Sequence, residues 1–375
     1  MAEYIYFISV FFIFYAYFGY PLSLVLLGTI RKRGAQRSYI TPTITLIITA
    51  HNEEKRIREK LENTLNLEYP QDKLQIIVAS DGSTDQTNSL IKEYSNKGIE
   101  LLDIEMRQGK ENAQKKAIQK AVGEIFVFSD VATRLESNAL QEIVSSFADP
   151  SVGSVSSEDR LISQDGKPTG EGAYVRYEMW LRRMESKVNT LVGLSGSFFA
   201  ARKEVCQDFS GDVQSDFRTL LNCIKKGYRG VSNPKAIGYY LNIVDEKHEF
   251  ERKVRTVLRG LTVFWGHFEF LNIFKYGFFS YQYCCHKLLR WLVPFFLIGA
   301  FSTNILLVRD SRLYGFLLLC QLLFYSIALW GWRITPLTGI LKIPMYFVIV
   351  NFAILAAWGR YILGHRIVIW DPSKR

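Results

Sequence analysis

Residues Tyr4 to Ile30 contain no Asp, Glu, Lys or Arg, an uncharged run of 27 residues in a chain of 375. Nothing else in the sequence restricts the fold as much. A helix needs about 20 apolar residues to cross a hydrocarbon core, where the backbone can satisfy its polar groups only within the helix. The run is longer than the apolar stretch of a cleaved secretion signal and has no basic residue before it. Arg31, Lys32, Arg33 and Arg37 follow at once. Residues 1–37 are therefore expected to form an uncleaved anchor with a basic flank rather than a core helix. The positive-inside rule then puts residues 31 to about 285 in the cytoplasm.

Three more uncharged runs lie near the other end: Trp291 to Val308, Leu313 to Trp332, and the shorter Ile343 to Trp358. Residues 266–375 read as an interfacial segment followed by about three spans. An odd number of later spans puts the tail outside, whereas Arg360, Arg366, Lys374 and Arg375 favour the inside. The two rules disagree, so one of the last segments is expected to be re-entrant or interfacial. "HKLLRW" (286–291) reads as a membrane entry, with His286, Lys287 and Arg290 at the headgroups and Trp291 in the aromatic belt.

The net charge of +10 does not point to nucleic acid, because the basic residues gather beside the apolar runs. Anionic lipids and phosphorylated substrates are the expected partners. Cys206, Cys223, Cys284, Cys285 and Cys320 show no CxxC spacing and no zinc pattern, so ordinary reduced thiols are expected. A transporter is disfavoured, since only about four spans exist and none carries a run of ionisable residues.

Between the apolar blocks, strand and helix alternate. Ile44 to Thr49, Leu74 to Val78, Ile99 to Asp103 and Ile125 to Phe128 are strand candidates. Glu53 to Leu67, Gln86 to Ser95 and Lys110 to Val122 carry helical spacing. Such alternation predicts an α/β domain on a mostly parallel sheet, with ligands outside the carboxyl ends of the strands. His51-Asn52-Glu53 follows the first strand, Asp81 the second and Asp130 the fourth. Each acid alone could cap a helix or turn, and Asp85 before Gln86 reads that way. Glu53, Asp81 and Asp130 together read as a ligand site. "VASDGSTD" (78–85) is neither GxGxxG nor a P-loop, so dinucleotide or ATP binding in those forms is not supported.

An ordered set of segments resembles the family 2 glycosyltransferases, membrane-anchored enzymes with a GT-A nucleotide-sugar domain. The segments are "ITAHNEE" (48–54), "VASDGSTD", "QGKENAQKKAI" (108–118), "VFSDVATRL" (127–135), "LSGSFFAARKE" (194–204), "SDF" (215–217) and "RKVRTVLRGL" (252–261). The resemblance implies a GT-A domain over residues 38–265. It further implies a nucleotide-sugar donor, with UDP the expected nucleotide, and a lipid-linked or glycan acceptor at the cytoplasmic membrane face. By the same resemblance Ala50, Glu53 and Asp81 hold the base and ribose, Gly109 and Lys110 contact the nucleotide, and Asp130 is the first acid of a DxD motif that binds Mg2+ or Mn2+. Asp216 stands where the family has its catalytic base, with Asp212 as competitor.

Two departures matter. Ala132 occupies the position of the second DxD acid, which puts the metal in question. The QxxRW element of processive synthases is replaced by Arg252-Lys253-Val254-Arg255-Thr256. Arg252, Arg255 and Arg259 still share a helical face, suited either to the leaving diphosphate or to anionic lipid. Ala173 to Leu191 reads as an amphipathic helix that either rests at the membrane surface or packs on the sheet. "LSGSFF" supplies small residues for close backbone approach or for a tight turn. The expected function is an inverting transferase; a processive synthase and a catalytically silent nucleotide-sugar-binding subunit are the alternatives.

Overall fold

The computed structural model describes residues 1–162, 173–241, 246–333 and 342–367. They divide into two compact units, one made of Met1–Ser23 with Asp245–Arg366 and the other built on Leu24–Val244.

In Leu24–Val244 the expected strands are present and slightly longer: β1 (Ile44–Ala50), β2 (Leu74–Asp81), β3 (Ile99–Ile104) and β4 (Ile125–Asp130). Four more follow: β5 (Arg134–Leu135), β6 (Val152–Ile162), β7 (Phe198–Arg202) and β8 (Arg229–Leu241). All eight form one sheet in the order β3-β2-β1-β4-β7-β6-β8-β5. The β3-β2-β1-β4 half is parallel. Strand β7 runs antiparallel to β4 and β6, β6 and β8 are parallel, and β5 is antiparallel to β8.

The apolar runs of β1, β2 and β4 follow from burial on both faces. Leu46 and Ile48 face Ile57 and Leu61 of the helix Ile57–Leu65. Ile47 and Ala79 face the opposite layer with Ala113 and Ala117 of the helix Lys110–Lys120. Register fixes where these strands stop: Ala50 lies opposite Ser80 and Thr49 opposite Asp130. Three strands therefore finish at one level, which delivers their terminal residues to a common edge. The helix expected from Glu53 begins only at Ile57, because residues 51 to 54 are taken up by loop contacts.

The amphipathic segment forms the helix Ala173–Val188 and packs on β8. Leu181 and Val188 are buried, Arg176, Arg183 and Lys187 are exposed, and Arg182 donates to Ser156 Oγ and Leu194 O. Of the two readings of this segment, packing on the sheet is the one these contacts describe; the side chain of Tyr174 lies outside the described residues.

In the other unit the helix Glu246–Gly266, which carries Arg252 and Arg255, packs against the helix Lys342–Ile362. Phe250 meets Phe352, Trp265 meets Trp358, and Arg360 forks onto Glu251 at 3.1 and 3.2 Å. Among the described residues four helices are long and apolar enough to cross a membrane: Ala2–Ile30, Phe278–Leu307, Arg312–Gly331 and Lys342–Ile362. Lys374 and Arg375 lie outside the described residues.

Within "HKLLRW", His286 and Lys287 are half-buried, whereas Arg290 and Trp291 are buried against protein. Residues Cys284–Leu289 make a π turn, which offsets the helix face that follows. Arg290 is thereby buried, its guanidinium 5.5 Å from the ring centre of Tyr17, and Trp291 is buried beside Phe264. Tyr283 and Cys285 are buried, with Tyr283 stacked on Phe264 at 4.6 Å.

The layer under β4 rests on a ring stack: Phe128 lies 4.6 Å from Phe199 and 5.7 Å from Phe209. Phe128→Ala removes the middle ring from a fully packed position and should cost about 3–5 kcal/mol. A clear drop in the thermal midpoint of the purified full-length protein is the expected result, and an unchanged midpoint would contradict this packing account.

Candidate active site

The acid at the end of β2 is buried, with Asp81 only 3% exposed. Burying a carboxylate is costly unless it is hydrogen-bonded, and both oxygens are. Oδ1 accepts the backbone N–H of Gln108 at 2.9 Å and Oδ2 that of Gly109 at 2.7 Å. Asp81 thus braces the loop that leads into the helix Lys110–Lys120. Sequence reasoning gave it a donor contact; the structure shows it occupied in building the Gly-Lys loop. The turn beside it depends on Gly82, which has φ +62 and whose absent Cβ would lie 2.6 Å from the Arg107 nitrogen. A side chain there would meet backbone that cannot move aside.

The loops after β1 and β2 are laced together. Asn52, with φ +52, accepts the Thr84 N–H on Oδ1 at 2.8 Å and donates its own N–H to Ser83 Oγ at 3.1 Å. Glu53 N–H donates to Thr87 Oγ1, Glu54 N–H to Asp85 Oδ2, and Gln86 N–H returns to Glu54 Oε2. Asp85 also accepts the Thr87 N–H at 3.0 Å, the helix-start role its position predicted. Burial pulls its pKa up, but the bonds from Thr87 and Glu54 outweigh that and hold it below the usual range. Glu53 is buried and forked by Arg56 at 2.7 Å on each oxygen. Burial raises its pKa, Arg56 opposes the rise, and Asp130 and Asp85 add to it. Ala50, at the end of β1, is 4% exposed and belongs to the core cluster that holds Ile48 and Ile57.

Lys110 connects the remaining groups. Its ammonium pairs with the Asp130 carboxylate and donates to Gly196 O at 2.9 Å. Asp216 lies beside Gly196, near enough that a Cβ added there would stand 3.1 Å from Asp216 Oδ2. Asp216 sits in the first turn of the helix Ser215–Lys225, where a carboxylate is favoured, and accepts from Gln214 Nε2 at 3.2 Å. Contacts therefore run from Asp81 through Gly109 and Lys110 to Asp130 and to the Gly196 carbonyl, with Asp216 placed next to Gly196. The competing Asp212 is exposed and bonded to Ser210. Arg252 and Arg255 belong to the helix Glu246–Gly266 of the other unit.

Two groups escaped the sequence reading. Lys60 is buried, donating to Ser129 Oγ at 2.7 Å and Thr133 O at 2.6 Å on either side of Asp130. Burial lowers its pKa to about 7, with Asp130 opposing the fall. The available signal was a lysine on the apolar face of a helix, between Ile57 and Thr64. Asp159 accepts Ser195 Oγ at 2.7 Å, Ser197 Oγ at 3.0 Å and Ser157 Oγ at 3.1 Å. It anchors the loop around Gly196, and an acid near the end of a serine-rich strand gave no sign of this.

For a divalent cation the donor set is poor. Ca2+ and Mg2+ sites take several hard oxygen ligands, whereas the motif here offers Asp130 alone, already paired with Lys110, and Ala132 adds nothing. Among the described residues no three His, Cys, Asp or Glu cluster as a metal site. The residues present do not fit a cation held by the protein.

Comparison with known proteins then decides the class. Residues 45–209 match the model of the family described as Glycosyl transferase family 2. The chain carries a family 2 glycosyl transferase domain. It is a glycosyltransferase, as its relatives are. A dolichyl N-acetyl-alpha-D-glucosaminyl phosphate 3-beta-D-2,3-diacetamido-2,3-dideoxy-beta-D-glucuronosyltransferase of Methanococcus voltae is 26% identical over 253 residues, covering 63% of this chain and 78% of the relative. A poly-beta-1,6-N-acetyl-D-glucosamine synthase of Staphylococcus epidermidis is 27% identical over 170 residues, covering 44% of this chain and 40% of the relative. This chain thus matches less than half the length of that curated synthase. A solved structure, the mannosyltransferase PcManGT of Pyrobaculum calidifontis in complex with GDP-Man and Mn2+, superposes with a TM-score of 0.75 at 22% identity, covering 98% of this chain and all of that one. The shared fold is GT-A, a mixed and mostly parallel sheet with helices on both sides. The family match ends at 209, before Asp216.

Asp81→Asn in this transferase turns one acceptor oxygen into a donor facing a backbone N–H. The loss should be about 1–3 kcal/mol, with faster hydrogen exchange at the Gln108 and Gly109 amides and weaker nucleotide binding. Unchanged exchange at both amides would remove the brace from the account.

Proposed function

We propose that the transferase moves a sugar from a nucleotide diphosphate donor to a hydroxyl of a lipid-linked or polysaccharide acceptor, with inversion, at the cytoplasmic membrane face. The observation that carries this reading is the connected set Asp81, Gly109, Lys110, Asp130, Gly196 and Asp216. It gathers a brace, a cation and a carboxylate around one point at the carboxyl edge of the sheet. UDP is the nucleotide implied by the sequence resemblance, and the similar Pyrobaculum structure carries GDP-Man, so both bases enter the test. The Arg31 to Arg37 cluster after an apolar helix supports a cytoplasmic domain.

The chemistry follows from the residues. Asp216 takes the proton of the acceptor hydroxyl as that oxygen forms its bond to the anomeric carbon. The bond from that carbon to the donor phosphate breaks, and its electron pair leaves with the diphosphate. Attack opposite the leaving group inverts the centre. Gly196 leaves room for the incoming hydroxyl beside Asp216, where any Cβ would crowd the carboxylate. Mg2+ or Mn2+, implied by the resemblance, would have Asp130 as its one ligand from this motif, and no step above is assigned to it.

Repeated addition is a second reading, favoured by the likeness to a polymer synthase over 44% of the chain. The absence of QxxRW at Arg252 to Thr256 favours single addition. Product length on a gel separates the two.

With purified full-length protein, a panel of UDP- and GDP-sugars and a polyprenyl-linked acceptor, Asp216→Asn should lower kcat by about two to four orders of magnitude. Donor affinity should stay near that of the wild type, because the base acts in the transition state. NMR of the product should show the anomeric configuration opposite to that of the donor. A retained configuration, or equal loss of binding and turnover, would overturn the assignment.

A further inference from the structure

We propose that Lys110 is the resident cation of the diphosphate subsite, so that the donor binds and reacts without a divalent metal. This deepens the transferase reading and rests on it. The starting observation is a mismatch. The family pattern provides two acids for a cation, and this chain provides Asp130 followed by Ala132. The one remaining carboxylate is already paired with the Lys110 ammonium, which a second bond to Gly196 O at 2.9 Å holds in place.

Placement strengthens the case. Lys110 opens the helix Lys110–Lys120 directly after Gly109, whose N–H is fixed by Asp81 at 2.7 Å. Its ammonium is thus delivered from a braced backbone at a helix start, where negative charge is favoured. On the other side the buried Lys60 bonds Ser129 and Thr133, the residues flanking the Asp130 loop. A divalent ion at Asp130 would have to displace the Lys110 ammonium, and like charge opposes its approach. A diphosphate meets the opposite situation. It can share the Lys110 ammonium with Asp130 through charge-assisted bonds. As the bond to the anomeric carbon breaks, the negative charge gathering on the leaving phosphate faces that ammonium. Lys110 keeps its proton throughout; the proton released in the reaction is the one that Asp216 takes.

The test is calorimetry of UDP and of GDP with the purified full-length protein, in EDTA and in Mn2+, together with nucleotide release in the presence of acceptor. Wild-type affinity and release should be the same within about twofold in the two conditions. Lys110→Ala should weaken nucleotide binding in EDTA by about ten- to a hundredfold, with an unchanged thermal midpoint, and Lys110→Arg should restore most of it. Ala132→Asp, which supplies the missing acid, should make binding respond to Mn2+. Nucleotide binding that appears only with Mn2+ in the wild type overturns this inference and leaves the transferase reading intact. Wild-type affinity in Lys110→Ala also overturns it. No binding of either nucleotide in either condition overturns the transferase site itself, and the inference with it.

Discussion

Two backbone N–H groups on one buried carboxylate set the geometry of the site. Asp81 lies where a parallel strand ends and water is nearly excluded, so its charge demands partners. Gln108 and Gly109 supply them, and a hydrogen bond to a charged group is worth about 1.5–3 kcal/mol. That energy fixes the point at which the following helix begins. Because the helix begins there, Lys110 stands between Asp130 and the Gly196 carbonyl. Gly82 belongs to the same device, since its left-handed turn lets the chain pass the backbone of Arg107. The carboxylate therefore acts first on its own protein, and through it on whatever phosphate arrives.

Half of the sheet was legible in the sequence for a physical reason. Strands β1, β2 and β4 are covered on both faces, so they read as unbroken apolar runs, and the acids ending them stood out. The other half was not legible. Strand β6 reads Val-Gly-Ser-Val-Ser-Ser-Glu-Asp-Arg-Leu-Ile, and its buried residues include serines, of which Ser157 donates to Asp159 and Ser156 accepts from Arg182 and the Ser195 N–H, so no continuous apolar face shows. Strand β8 contains Pro234 and Lys235 and pairs with β6 through two irregularities, so no period of two survives. Lys60 was hidden by its type, because a lysine on a helix is usually solvated, and only the contacts of its ammonium identify it as buried. Ala132 stood out in the sequence as a departure from the motif, whereas the pairing of Lys110 with Asp130 could not be seen there.

The apolar helices present a second chemistry. Arg290 was expected among headgroups, and a π turn at Cys284–Leu289 directs it instead against Tyr17. Spacing alone cannot register such a turn, which shifts the phase of the residues after it. The helix Glu246–Gly266 illustrates the complementary case. It packs on Lys342–Ile362, and Val254, Leu258 and Leu261 are buried in it at helical spacing, a pattern the arginine face had drawn attention away from.

The lacing of the β1 and β2 loops has a thermodynamic consequence. Asn52 to Thr84, Glu53 to Thr87, Glu54 to Asp85 and Gln86 to Glu54 are four cross-links between segments about thirty residues apart. Each immobilised residue that would otherwise freeze on association subtracts about 1 kcal/mol or so from affinity. A cleft floor stitched before any visitor comes has made that loss part of folding. Selectivity at this edge is then governed by shape and charge already in place, and a mutation that unpicks one stitch should show its effect as looser retention of the guest rather than as a different guest.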